Sequence, residues 1–190
     1  MLPDVVTYPV LSPVTLVELK AHLRVVSSAE DDVLQSMIDR AVSHLDGYGG
    51  RLGRAIMSQT WRQDFEGWTQ PLTLRARDAG SVVLSYIDAD DALQTVDVAE
   101  YEVLPTFGVT ELRPLRGFSY PSLADRARPI SATFETGYDD PADVPASLKG
   151  AIMMLAGHMY EQREASSESQ VNSVPFGFED LIRPFRRVGP

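Results

Sequence analysis

Apolar positions recur at helical spacing at both ends of the chain and alternate at strand spacing in the middle. Near the start, Thr15-Leu16-Val17-Glu18 has the form of a capping box, with Leu19 and Leu23 following at helical spacing and the pattern fading before Ser27-Ser28. Ser28 is placed to cap a second, longer helix. Its apolar positions Val33, Leu34, Met37, Ile38, Ala41, Val42 and Leu45 form one continuous stripe that stops at Gly47-Tyr48-Gly49-Gly50. A helix with one apolar face cannot stand alone, so this stripe must be covered by another element.

From about residue 55 to 138 the period changes to two. Gln59 to Phe65 alternates, Leu72 and Leu74 alternate, and Ser81 to Ile87 is β-rich before an Asp88-Ala89-Asp90-Asp91 turn and a return strand through Leu93 and Val96. Tyr101 to Leu104, Thr110 to Arg113 and Ile130 to Thr136 add three short strands. Frequent turns with alternating strands point to an antiparallel sandwich or barrel-like sheet and away from βαβ units. Residues 114–129 read as a long excursion, uncommon unless the loop touches something.

Helical spacing then returns. Asp143-Val144-Pro145 opens a helix with apolar positions Leu148, Ile152, Leu155, Met159 and Tyr160, expected to reach about Glu164. Residues 165–175 are small and polar and read as a tether. Phe176 to Phe185 is a short amphipathic segment carrying Phe178, Leu181, Ile182 and Phe185 beside arginines. Such a segment suits either a partner's groove or a return onto its own core. The expected class is α+β, divided as 1–54 helical, 55–142 an antiparallel β insertion, 143–165 a helix running to the C-terminal side, and 166–190 a tether with a partner-binding arm.

Composition narrows the functions. The 190 residues are 44% apolar and 23% charged, enough for a substantial core without crosslinks. There is no cysteine, which removes disulfides, thiolate metal sites and cysteine nucleophiles. No signal-like start and no membrane-length apolar run is apparent, so no membrane partner is expected. The net charge of -10 is uneven, with -2 in residues 1–60, -8 in 61–143 and zero in 144–190. An acidic centre repels phosphate and speaks against nucleic-acid binding by counterion release. Of 17 basic residues 15 are Arg, and Arg183, Arg186 and Arg187 follow the last acid, Asp180. Arginine suits bidentate contacts to carboxylates of another protein.

Candidate chemistry is sparse. His22, His44 and His158 are far apart, and each is expected to be an ordinary helix residue. His158 and Glu161 share a helix face, but neither HExxH nor HxxEH occurs. The glycine run 47–53 has Leu52 where GxGxxG requires glycine, and it follows a helix, so it reads as a helix stop. Asp90-Asp91 and Asp139-Asp140 lie in turns, where Asp is favoured for backbone reasons. No catalytic residue, metal site or cofactor is assigned.

The order of these features resembles a known family. A helix ending in a glycine cluster precedes Gln59-Thr60-Trp61, then Asp143-Val144-Pro145 with Leu148-Lys149 and Ala151-Ile152, then His158-Met159-Tyr160-Glu161 and Arg163-Glu164. Pro175-Phe176-Gly177, Leu181 and Pro184-Phe185-Arg186 close the series. Together, over about Leu16 to Arg187, they resemble the head-to-tail connector, or adaptor, proteins of long-tailed double-stranded DNA phages and related gene transfer agents. The resemblance implies a helical connector core interrupted by a β insertion, in about twelve copies forming a ring. That ring would join the capsid portal to a tail-side stopper or tail terminator protein and pass double-stranded DNA without specific binding. It implies a particle neck as location, assembled in the bacterial cytoplasm, and no enzyme activity. It also implies portal contacts by Phe178, Leu181, Ile182, Arg183, Phe185, Arg186 and Arg187. Two other classes stay open: a metal-dependent hydrolase using His158 with nearby carboxylates, and a small peptide-binding scaffold.

Overall fold

The structure, a computed structural model, describes residues 1–161 and 176–187. The polar tether read at 165–175 lies outside the described residues, as do residues 162–164 at the expected end of the third helix. The chain forms two compact units: a β unit of residues 1–9 and 58–137, and a helical unit of 10–57 and 138–187. The class is α+β, with helix and antiparallel sheet segregated in this way.

In the helical unit, α1 (Leu16–Leu23) begins at the anticipated capping box: the Thr15 hydroxyl accepts from the Glu18 N–H and the Glu18 carboxylate reaches back to the Thr15 N–H. The next helix, α2 (Asp31–Leu45), starts later than Ser28 suggests. Its N-cap is Glu30, without a side-chain cap, and Asp31 and Asp32 place their charge at the positive end of the helix dipole instead. Helix α3 (Ala146–Glu161) packs against both α1 and α2. Its Gly157 makes close approach possible, because a Cβ there would fall 2.9 Å from Leu23 Cδ2.

The long helix expected over 143–165 is not the last of the chain, a correction to the expected arrangement: the C-terminal helix is a short one that follows it. It is the seven-residue α4 (Phe176–Ile182), which packs on α3 and runs into a 3-10 turn, Arg183–Phe185. Leu34, Ile38, Ala41 and Leu45 of α2 meet Leu148, Ala151, Ile152 and Leu155 of α3 in one core, which also takes Val14, Leu19, Phe178 and Ile182.

The β unit holds eight strands in two sheets. β1 (Asp4–Thr7), β2 (Gln59–Phe65), β4 (Gly80–Ile87), β5 (Leu93–Thr95) and β8 (Ile130–Thr136) form a five-stranded sheet in the order β1-β2-β8-β4-β5. β3 (Leu72–Leu74), β6 (Tyr101–Pro105) and β7 (Thr110–Pro114) form the other, in the order β3-β7-β6. All named pairs are antiparallel. The alternation works as the sequence predicts: Gln59, Trp61 and Gln63 are buried on β2 and meet Thr136, Phe134 and Ala132 across the ladder. Trp61 and Phe134 pack edge to face with centroids 6.3 Å apart.

β1 is not legible as a strand, and the sequence pattern places residues 1–9 with the helical part. Asp4 and Val5 instead pair with Arg62 and Trp61 as an edge strand of the five-stranded sheet. Pro3 and Pro9 fit the ends of such an edge, where missing N–H groups cost no ladder bond.

The two sheets are tied by buried polar groups. The Gln63 side chain donates to Thr73 O and accepts from Arg75 N, both at 2.8 Å, and Tyr101 OH donates to Val82 O at 2.8 Å. The 114–129 excursion does touch something. Trp68 donates to Pro121 O and makes ring contacts with Tyr86, Phe118 and Tyr120, while Ala124 N donates to Ile87 O.

Candidate partner-binding surface

The seven residues expected to bind a partner separate into two groups. Phe178 and Ile182 are 1% and 0% exposed, within the helical core, and Leu181 and Phe185 are partly buried against it. The seven-residue helix spacing puts Phe178, Leu181 and Ile182 on one side, and this apolar side folds back on its own protein. In this conformation Phe178 and Ile182 are core residues, the return onto its own core that the sequence leaves open beside a partner's groove. Arg183 and Arg186 are exposed, and Arg187 is half-buried.

Arg187 lies against a piece of chain that the sequence pattern marks only as a helix stop. After α2, Gly47 N donates to Arg54 O, Gly50 N to Gly47 O and Leu52 N to Leu45 O, forming a tight loop. Gly50 is required by close backbone approach, since a Cβ there would fall 2.0 Å from Asp46 O. Gly53 has φ +67°, and its missing side chain leaves room for Arg187, whose Cβ would be 3.1 Å from an added Cβ. Arg187 N donates to Leu52 O at 2.7 Å, so the C-terminal segment is hydrogen-bonded directly to the loop.

The side chains continue this union. Arg187 stacks on Tyr48, its guanidinium carbon 4.6 Å from the ring centroid, and Arg54 lies 5.6 Å from the Tyr138 ring centroid. The Glu179 carboxylate is 2.5 Å from Arg51 on one side and 3.7 Å from Arg186 on the other. All three side chains are nearly half exposed, so the ion pairs add little stability but hold the guanidiniums in place. The outcome is a rigid, arginine-rich surface that can offer forked N–H donors to carboxylates. The missed members are Tyr48, Arg51 and Arg54. Their glycine-rich context is visible in the sequence, but the meeting of Tyr48 and Arg51 with a segment some 130 residues later, and of Arg54 with Tyr138, depends on the tertiary fold.

The other candidate positions do not converge on chemistry. His22 and His44 are exposed on α1 and α2, and His158 is half-buried on α3. Among the described residues no group of three or more His, Cys, Asp and Glu side chains is placed to hold a metal ion. Asp88 organises its own turn: its carboxylate accepts from the Gln94 side chain and from the Ala92 and Asp90 N–H groups, which hold its pKa below the usual carboxylate range. Asp91 pairs with Arg126 at 2.9 Å. No helix among the described residues is long and apolar enough to cross a membrane.

Comparison with known proteins gives this fold a setting. The sequence profile of the phage gp6-like head-tail connector proteins matches residues 13–71 and 88–186, leaving between them β3 and β4. No curated protein sequence matches the chain. Among solved structures, the fold is similar to a chain from the neck of an empty gene transfer agent particle computed with C6 symmetry. The two share 24% identity and a TM-score of 0.78, covering 100% of this chain and 97% of that one. A chain from the virion of the native particle matches with the same values. A chain from the native neck computed with C12 symmetry matches at 22% identity and TM-score 0.70, again over 100% and 97%.

Proposed function

The chain belongs to the phage gp6-like head-tail connector family, and on that membership we propose that it is a structural connector in the neck of a phage-like particle, of the gene transfer agent type. The observation that carries this reading is the family match over both halves of the helical unit and most of the β unit. In this reading copies of the chain assemble into a homo-oligomeric ring, with the twelvefold symmetry computed for a native neck as the expected copy number. The ring joins the portal on the capsid side to a stopper or terminator protein on the tail side. It has no catalytic role.

The portal contact is assigned to the C-terminal segment, through the exposed Arg183 and Arg186, with Arg187 fixing the segment on Tyr48. Phe178, Leu181, Ile182 and Phe185 set the shape of that segment from beneath. Exchange of their intramolecular packing for a groove on the portal would require α4 to leave the core.

Charge supports passage of DNA without adhesion. Residues 61–143 carry -8, and between Arg77 and Arg113 there are eight acids and no basic residue. Turned toward the channel, this region repels phosphates and lets a duplex slide.

The test is native mass spectrometry of the protein alone and after mixing with the portal encoded beside it. Conversion to a many-copy ring on the portal supports the connector reading. A discrete small oligomer that ignores the portal overturns it.

A further inference from the structure

We propose that loop Gly47–Arg54 and the C-terminal segment Glu179–Arg187 form a single docking surface, and that its occupant is a carboxylate-rich segment of the portal. The inference rests on the connector reading above and adds to it the second half of the surface and the chemistry of what it takes.

Three observations carry it. The two short pieces hold Arg51, Arg54, Arg183, Arg186 and Arg187 against Glu179 and Asp180, an excess of positive charge in a chain of net charge -10. They are joined by the bond from Arg187 N to Leu52 O, by Arg187 on Tyr48, and by Arg51 with Glu179 at 2.5 Å. The surface also holds a carboxylate in place: Glu179 sits between Arg51 and Arg186. A guanidinium has five N–H donors, and one carboxylate contact uses only part of that fork. Arg51 and Arg186 remain 46% and 48% exposed while bound to Glu179.

A carboxylate segment fits this surface better than DNA does. The helical unit as a whole has fourteen acids and ten basic residues, so its field is repulsive to a long polyanion approaching from a distance. Its attraction is short-ranged and geometric, which suits a few carboxylates presented by a folded partner. Because the loop and segment are already fixed together, docking orders few side chains.

The experiment measures binding of the full chain to the portal ring, with Arg51→Glu, Arg51→Lys and Arg183→Glu/Arg186→Glu variants, each checked by thermal unfolding. The expected result is binding weakened about tenfold or more by Arg51→Glu, less by Arg51→Lys, and increasingly by added salt. Arg51→Lys keeps the charge and the fold, so its intermediate loss reports the lost fork specifically. Unchanged affinity in both Arg51 variants, with loss in Arg183→Glu/Arg186→Glu, removes the loop from the surface and overturns the inference while leaving the connector reading intact. Failure of the unaltered chain to bind the portal overturns both. Binding of a short DNA duplex at the same salt, lost in Arg51→Glu, identifies the surface as a phosphate reader and overturns the assignment to carboxylates.

Discussion

Lys149 Nζ on α3 lies 3.1 Å from Glu18 Oε1 on α1, while the other oxygen of that carboxylate accepts the Thr15 N–H and hydroxyl at 2.7 and 2.8 Å. One side chain therefore closes a helix cap and ties two helices of the core.

The Glu18 pKa is lowered, chiefly by the Thr15 N–H; burial opposes this, and the Thr15 hydroxyl and Lys149 add smaller lowering effects. A carboxyl whose pKa falls on folding contributes stability that is complete above its unfolded value and lost as pH falls through its folded value. Glu18→Gln is expected to lower stability at neutral pH by less than about 1 kcal/mol, because the pair is partly exposed. The difference from the unaltered protein should shrink toward zero on acidification, as seen in unfolding midpoints across a pH series. A difference constant with pH would show that the charge is not involved.

Gln63 is 2% exposed and bonds through both ends of its amide to Thr73 O and Arg75 N. Gln63→Leu fills the space but leaves one buried acceptor and one donor without their partner, each costing about 1–3 kcal/mol. Urea unfolding should show a loss of at least about 2 kcal/mol. An unchanged midpoint would mean that water or a backbone shift replaces the amide.

Trp68 packs on Tyr86 of β4 and holds the 114–129 excursion by one hydrogen bond, to Pro121 O, and two ring contacts, with Phe118 and Tyr120. That segment contains Arg116, Arg126 and Arg128, all trypsin sites. Trp68→Ala should make these bonds the first cleaved in limited tryptic digestion while the fragments remain associated, with mass spectrometry locating the cuts. Equal cleavage patterns with and without Trp68 would show that the loop is held elsewhere.

Phe178 is 1% exposed in the helical core. Phe178→Ala should cost about 3–5 kcal/mol, as for other buried aromatics truncated to a methyl group. Arg183→Ala, at an exposed position just after that helix, should leave the unfolding temperature unchanged. Equal thermal stability of Phe178→Ala and the unaltered chain would restore the detached-arm view of this segment.

Much of the fold is local and so is readable. The Thr15–Glu18 box, the α2 stripe and the alternation of Gln59 to Thr136 each follow from interactions within a few residues or across a regular ladder. Their order also carries the family resemblance, which the family match over residues 13–71 and 88–186 bears out. The start of α2 is less legible, because the Glu30 cap and acidic first turn replace the side-chain cap that Ser28 suggested. β1 is also obscure in sequence: a four-residue edge strand between prolines has almost no periodicity, and its ladder partner β2 lies far along the chain.

By itself, then, the sequence determined the helices, most strands, the absence of cysteine chemistry and the acidic middle, all properties of single segments or of composition. Only the tertiary structure decided that the apolar side of α4 is core, that Arg187 meets Tyr48, and that Glu179 meets Arg51. An amphipathic segment has the same pattern whether it covers its own protein or a partner. The choice depends on whether a matching apolar face stands within reach, and here α3 supplies one.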